Sequence, residues 1–397
     1  MKKLLFLIPL IYANSFFAQN TTIPDANFEQ ALINFGLDVP PINGLVPTAN
    51  IDTLVTLNIS NQNIADLTGI EDFDALKVLN CYNNQLTSLN VTQNLQLTTL
   101  RCSQNALTTL DVTQNTNLEI LWCTENQLTN LNVTQNTVLT EFLCSSNQLT
   151  NLNVSQNLQL FNLRCNSNQI SSLDVTMLAN LGDLDCSDNN ISTLDVTLNT
   201  GLLFLNCGRN LISTIDVSQN LMLISFRSFN SNNIQTIDLT NNTSLTFVDC
   251  AASFQLTELK VKNGNNVNVT YFRAEICPNL KCIYVDDKNA SYLSSWIKDT
   301  SAHWVNDTLD CQNVTSFNEY DNKSNFLNIY PNPATNYAYF EFENLPAELI
   351  IYNMQRRIIF KEQIETKTYK LELSGFEKGV YLCGVFGNNT INKLIII

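Results

Sequence analysis

At 397 residues the chain has room for two or three ordinary domains or for one long repeat array with appendages, and at 44% hydrophobic residues it can bury a substantial core. Only 14% of residues are charged and the formal net charge is −15. That balance repels phosphate backbones and argues against nucleic acid as a partner, because such binding rests on Lys and Arg contacts that release counterions; it equally disfavours an anionic membrane surface.

Lys2 and Lys3 form a short basic region, and the apolar stretch Leu4 to Phe17 behind them is too short to span a bilayer. Residues 1–18 therefore read as a secretory signal cut after Ala18. No later stretch has 18 consecutive apolar residues, so no transmembrane segment is expected. The chain should be exported, either soluble or held at the surface by another device. Residues 19–50 read as an N-terminal cap. Within them Asp25 opens a short amphipathic helix with Phe28, Leu32 and Phe35 on one face and Gly36 as its stop.

From residue 51 to 285 the chain repeats. Cys81, Cys102, Cys123, Cys144, Cys165, Cys186 and Cys207 stand 21 residues apart, and a fixed period of this size is the signature of a solenoid. One unit runs from Leu97 through Leu100, Cys102, Asn105, Leu107, Leu110 and Val112 to Asn115. Leu100-Arg101-Cys102 alternates in, out, in, as a short strand must. Asn105 and its equivalents Asn84, Asn126, Asn147, Asn168, Asn189 and Asn210 fall at a turn. There an amide can both donate to and accept from otherwise unpaired backbone and stack on the Asn of the next coil. A second column (Asn94, Asn115, Asn136, Asn157, Asn199, Asn220) is expected to do the same at the other corner. After Cys207 the register gains one residue near Ile224 to Phe229, read as a bulge, and resumes at Asn232, Ile237 and Cys250. Asn279 to Val285 reads as the last strand of ten or eleven coils. The pattern resembles the leucine-rich repeat, and the 22-residue spacing around Ile64 to Phe73 resembles internalin-type repeats.

Residues 286–311 read as a C-terminal cap, with a short helix over Ser291 to Lys298, and 312–325 as a polar linker. Beyond it, Tyr330-Pro331-Asn332-Pro333 opens a stretch of alternating strands, and Gly379-Val380-Tyr381 and Lys393-Leu394-Ile395 close it. Residues 326–397 thus resemble the sorting domain of proteins exported by the type IX secretion system of Bacteroidetes. The resemblance implies a small β-sandwich read, and usually cleaved, by the export machinery, with the passenger often linked to surface lipopolysaccharide. Together the parts resemble secreted or surface leucine-rich-repeat proteins of flavobacteria. The expected fold is mostly β: a leucine-rich-repeat solenoid with a short helical N-terminal cap, followed by a small C-terminal β-sandwich.

The chemistry-bearing residues are few. The seven periodic cysteines read as small buried hydrophobes. Among Cys250, Cys277, Cys282 and Cys311, which lie in the less regular C-terminal part of an exported chain, a Cys282–Cys311 bridge is expected, with Cys277 as the competing partner. His303, the one histidine, leaves no His-based zinc site and no obvious nucleophile–histidine pair. Asp174, Asp195, Asp216 and Asp238 form an outward column about 5 Å apart that could share Ca²⁺, although a solvated polar face is the plainer reading and no cofactor is expected. Comparing the repeats with one another is more informative. Outward positions on the second strand barely change, whereas those on the Cys-bearing strand change freely. Arg101, Ile120, Trp122, Glu141, Leu143, Arg164 and Phe204 give that strand face the aromatic and Arg character of an interface. The expectation is a binding protein, not an enzyme, that meets an unidentified protein or glycan with this face. The alternatives are a structural, self-assembling repeat protein and, more remotely, an ice- or crystal-surface binder using the column Thr92, Thr113, Thr134, Ser155, Thr176, Thr197, Ser218.

Overall fold

The computed structural model describes residues 19–316, 328–342, 345–354, 357–385 and 391–397. The signal segment 1–18 and the linker beyond residue 316 lie outside the described residues. The fold is mostly β and solenoidal, and the chain divides into two compact units, 1–139 and 140–397.

In the first unit β1 (Asn20–Thr22) and β2 (Leu45–Pro47) form an antiparallel pair flanking helix α1 (Ala26–Asn34). Asp25 caps α1 by accepting from the backbone N–H groups of Asn27 and Phe28 at 2.9 and 3.0 Å, which satisfies donors the helix cannot. Its second oxygen accepts from the Ala65 and Asp66 N–H groups at 2.7 and 3.0 Å, tying the cap to the first coil. Phe28 and Leu32 are fully buried, but Phe35 is 54% exposed. The helix ends at Asn34, so Phe35 turns off the face that the heptad-like spacing assigned to it.

Strands β3 (Thr56–Asn58), β4 (Val78–Asn80), β5 (Thr99–Arg101) and β6 (Ile120–Trp122) then stack in parallel and in register. In the second unit β7 (Glu141–Leu143), β8 (Asn162–Arg164), β9 (Asp183–Asp185), β10 (Phe204–Asn206) and β11 (Ser225–Arg227) continue in the same manner. Each strand is three residues long because only its middle residue and the following Cys point inward; Leu100, Leu121, Leu163, Leu184 and the seven cysteines are all fully buried. One coil cannot bury its own apolar face, so stacking supplies the core.

The Asn column at Asn105 and its equivalents behaves as its chemistry requires. Asn189 accepts from the Ile170 N–H at 2.9 Å in the preceding coil and donates to the Cys165 and Cys186 carbonyls at 3.0 and 3.1 Å. The partner across coils is backbone, not the next Asn. The second column differs from expectation: Asn115 and Asn220 donate to two carbonyls each, but their Oδ1 atoms are buried without a hydrogen-bond partner. A feature without a sequence signal lies two residues after each Cys. Asn83, Gln104, Glu125, Ser146, Ser167, Asp188 and Arg209 all hold φ between 52 and 57°, giving one left-handed residue per coil. Non-glycine residues tolerate this at a cost of about 1 kcal/mol each, and here coil stacking imposes it.

Ser228, 21 residues after Cys207, takes the place of a ladder Cys and is fully buried; the register gain expected near Ile224 to Phe229 falls after it, where Ser225 and Phe247 pair at a spacing of 22. Past it a second set of regular strands appears: β12 (Thr236–Asp238), β13 (Phe247–Asp249), β14 (Glu258–Lys260), β15 (Tyr271–Ala274), β16 (Cys282–Tyr284), β17 (Ile297–Lys298) and β18 (His303–Val305). Strands β13, β15 and β17 extend the face of β11, while β12, β14, β16 and β18 form a four-stranded parallel sheet. Cys282–Tyr284 is therefore not the last strand, and the segment read as a helix holds a single 3-10 turn, Ser291–Ser295, before β17. Trp296 drives this extra turn: it is 6% exposed, stacks on Phe272 at 4.3 Å and donates its indole N–H to the Val269 carbonyl at 3.2 Å.

Helix α2 (Thr308–Ser316) covers the end, and Cys282 and Cys311 are disulfide-bonded with Cα atoms 5.8 Å apart, the pairing expected from the sequence. The bridge joins α2 to β16 over a sequence separation of 29 and packs with Tyr284, Val305 and Val314. Closing a loop of this size limits the unfolded chain enough to contribute about 3 to 4 kcal/mol. Replacing both cysteines with Ala is expected to free α2 while leaving the rest of the coils folded. Limited proteolysis should then cut within 286–316 first; unchanged protection of that segment would refute the role.

The terminal part of the second unit comprises β19 (Asn328–Tyr330), β20 (Tyr337–Glu341), β21 (Ala347–Tyr352), β22 (Ile358–Ile364), β23 (Thr368–Glu372), β24 (Gly379–Val385) and β25 (Ile391–Ile396). They form two antiparallel sheets, β19-β20-β23 and β22-β21-β24-β25, whose inner faces share one apolar core, a small β-sandwich. Cys383, which had no explanation from sequence, is a fully buried member of that core.

Candidate functional site

The outward residues of each three-residue strand are its first and third, and parallel in-register pairing lines them up in two rows across neighbouring coils. In the first unit the third positions of β5 and β6 pair Arg101 with Trp122, and the guanidinium lies 4.4 Å from the indole ring centre. Both side chains are half-buried, and Arg101 Nε and Trp122 Nε1 are buried donors without a hydrogen-bond partner. Ile120 stands beside them, paired with Thr99.

In the second unit the first positions run Glu141, Asn162, Asp183, Phe204, Ser225, Phe247 and Tyr271. The third positions run Leu143, Arg164, Asp185, Asn206, Arg227, Asp249 and Arg273. Arg164 donates to Asp183 Oδ2 at 2.7 Å, and this bond holds the guanidinium above its usual pKa. Phe204 is 42% exposed. Leu143 and Glu141 are half-buried, with Glu141 accepting from Asn162 at 3.4 Å. A depression of about 350 Å³ opens here, lined by Arg164, Asp183, Asp185, Phe204, Ser225 and Arg227 among others.

Sequence comparison missed the rest of this face. The Arg227 guanidinium lies 4.2 Å from the Phe247 ring centre, Phe247 stacks on Tyr271 at 4.1 Å with 7° between planes, and Arg273 bonds both Glu275 and the Tyr271 hydroxyl. Burial pushes the Asp249 carboxyl up from its ordinary range. Ser225 and Arg227 still stand 21 residues after Phe204 and Asn206, but Phe247 follows Ser225 by 22 and Tyr271 follows Phe247 by 24, so the later residues fell out of the 21-residue columns. The triplets Ser225-Phe226-Arg227, Phe247-Val248-Asp249 and Tyr271-Phe272-Arg273, each with an apolar middle, are the signal that would have found them.

The other candidates resolve into local structure. The Asp174 and Asp195 carboxylates each accept from the N–H and hydroxyl of the Thr two residues on, at 2.6 to 3.0 Å, and those bonds hold both below the usual carboxylate range. Asp238 binds Thr240 in the same way, and Asp216 accepts from the Ser218 N–H. The Thr members of the column thus spend their hydroxyls on their own turn, while Ser155 and Ser218 accept from the side chain of the next Gln. Among the described residues no group of three or more His, Cys, Asp or Glu side chains is placed to hold a metal ion. His303 lies on β18 with its pKa lowered by burial and by Lys298.

In the sandwich the opening and closing motifs meet. Asn332 donates to the Lys393 carbonyl at 2.5 Å and accepts from the Ile395 N–H at 2.9 Å, while the Ala334 N–H donates to the Ile395 carbonyl at 2.7 Å. Tyr330 donates to Glu341 at 2.7 Å, flanked by Pro331 and Pro333 in the loop that follows. Gly379 pairs with Ile396, and the Tyr381 hydroxyl donates to the Glu377 carbonyl at 2.6 Å.

Comparison with known proteins matches residues 328–397 to the family described as the secretion system C-terminal sorting domain. A search of curated proteins returns no match. Among solved structures, an internalin from Listeria monocytogenes is similar with a TM-score of 0.57 and 19% identity, covering 72% of this chain and 91% of that one. The functional domain of InlJ from the same organism, described as including a cysteine ladder, aligns with a TM-score of 0.49 and 23% identity over 96% of this chain and 99% of that one. A plant peptide hormone receptor in complex with RGF2 is similar with a TM-score of 0.52 and 16% identity over 64% of this chain and 49% of that one. No helix among the described residues is long and apolar enough to cross a membrane. The chain is a secreted or cell-surface leucine-rich-repeat protein with an internalin-type fold, and it ends in a type IX secretion sorting domain.

Proposed function

We propose that the chain is a recognition protein, not an enzyme, delivered by type IX secretion, and that it binds a protein or glycan through the outward face of its Cys-bearing strands. The observation that carries the reading is the contrast between the two sides of the coil. On one side Asp and Thr satisfy each other turn after turn; on the other Arg101 and Trp122 share a contact and leave two N–H donors unpaired. Both side chains are only half-buried, so the pair itself remains open to a ligand. A solved plant receptor of similar fold holds RGF2, which makes ligand capture by such a fold physically reasonable. The thiols support binding rather than covalent chemistry, since burial pushes Cys102, Cys165 and Cys207 up to about 12.

The test is capture of ligands by the full chain from a glycan array and from surface extracts, in parallel with Trp122→Ala and Arg164→Ala. Loss of an interface anchor of this kind costs about 2 kcal/mol, roughly thirtyfold in affinity. Equal capture by wild type and both variants would sink the proposal. One observation favours self-assembly as a second reading: Leu158, Met177 and Leu198 expose 44, 60 and 61% of their surface along one edge of the second unit. Concentration-dependent sedimentation, abolished by Met177→Ser with Leu198→Ser, would favour it.

A further inference from the structure

We propose that the recess on β11 in the second unit is a subsite for a neutral, extended glycan; this rests on the recognition reading above and assigns a ligand class to one part of that face. Phe204, Ser225, Phe247 and Tyr271 stand in strict register on β10, β11, β13 and β15. Ser225 is the one small residue in this row and is 8% exposed, so it forms the floor of a recess between the Phe204 side chain and the Arg227 guanidinium that lies on Phe247. The Cα positions of Phe204 and Phe247 lie two strand spacings apart, roughly 10 Å. Alongside runs a second row, Asn206, Arg227, Asp249 and Arg273, rich in donors and acceptors. An apolar row beside a polar one is the complement of a pyranose ring, whose C–H face packs on aromatic surface while its equatorial hydroxyls reach amide, carboxylate and guanidinium groups.

Two further observations select the ligand. The outward positions from β7 to β15 carry four carboxylates (Glu141, Asp183, Asp185, Asp249) against three guanidiniums (Arg164, Arg227, Arg273), a net of −1 in a chain of net −15. The guanidiniums are also committed: Arg164 to Asp183, Arg227 over Phe247, and Arg273 to Glu275. A near-neutral face with its cations engaged fits an uncharged ligand better than a polyanion or a basic peptide. Geometry also separates a glycan from an extended peptide. Within this face the strand N–H and C=O groups are spent on the ladder, so no main-chain pairing is on offer. The row repeats every ~4.8 Å, longer than the ~3.3 Å rise of an extended peptide residue and comparable with the rise of one hexose in an extended polysaccharide.

The experiment is isothermal titration of the full chain with four neutral β-linked hexasaccharides: cellohexaose, xylohexaose, laminarihexaose and mannohexaose. A hexasaccharide of galacturonate serves as the charged control. At least one neutral ligand is expected to bind, with Phe204→Ala weakening it about tenfold and Arg227→Ala less, both at unchanged thermal stability because the two side chains are exposed. No binding by any of the four, tighter binding of the galacturonate, or indifference to both substitutions overturns the assignment. If these titrations fail while Trp122→Ala still abolishes capture of a protein partner, the glycan subsite falls and the recognition reading stands.

Discussion

Raising the pH from about 8 to about 10 is expected to unfold the repeat units, an effect set by their buried thiols. Desolvation pushes Cys102, Cys165 and Cys207 up to about 12, and raises Cys81, Cys123, Cys186 and Cys250 as well. In the unfolded chain a thiol ionises near 8.5. Above that pH the folded chain still holds protons that the unfolded chain has released. The stabilisation is therefore complete below about 8.5 and is lost as pH climbs toward the folded value. By pH 10 each thiol subtracts about 2 kcal/mol, and the three at about 12 together subtract roughly 6, comparable with the whole stability of an ordinary domain. Guanidinium midpoints by circular dichroism at the two pH values give the check. Cys102→Val with Cys165→Val should flatten the pH dependence by two protons. A midpoint that does not move would refute the account.

Asn189→Ala is expected to cost about 3 to 5 kcal/mol, because it removes one acceptor and two N–H donors shared among three carbonyls at a buried turn, and leaves the Ile170 N–H and the Cys165, Cys186 and Ser187 carbonyls to be satisfied otherwise. Asn189→Asp is predicted to be no better. It keeps an acceptor for Ile170 but loses both donations and buries a charge. The exposed neighbour Asn190 provides the control, with Asn190→Ala changing stability by less than about 0.5 kcal/mol. Hydrogen exchange should localise the loss to the coils around Cys165, Cys186 and Cys207. Equal exchange in the Asn189 and Asn190 variants would show that the column does not secure the turn.

The same arithmetic explains why so much of this fold is legible in one dimension. A solenoid contacts mainly its sequence neighbours, so each column of the repeat carries one physical task. The Cys column fills the strand core and the first Asn column satisfies turn backbone. The strand face is outward because Leu100 and Cys102 must both point in. The Cys282–Cys311 pairing was accessible for a related reason: both residues lie in the short terminal segment, and a secreted chain favours bridges there.

What the sequence alone determined is the part governed by period: the repeat class, the inward and outward columns, and the sorting motif at the end. Where the period breaks, tertiary structure decided. The spacing lengthens only after Arg227, to 22 between Ser225 and Phe247 and to 24 between Phe247 and Tyr271, so the Arg227–Phe247–Tyr271 stack became visible only once parallel strands placed those residues side by side. The extra turn through β17 and β18 depends on Trp296 finding Phe272, a contact with no spacing signature. Phe35 left its helix face because the helix stopped one residue early. The left-handed residue in each coil follows from closing a turn against its neighbour, and the varied side chains at that position conceal it. Within a coil, local alternation suffices; across a register break, only packing says which side chains meet.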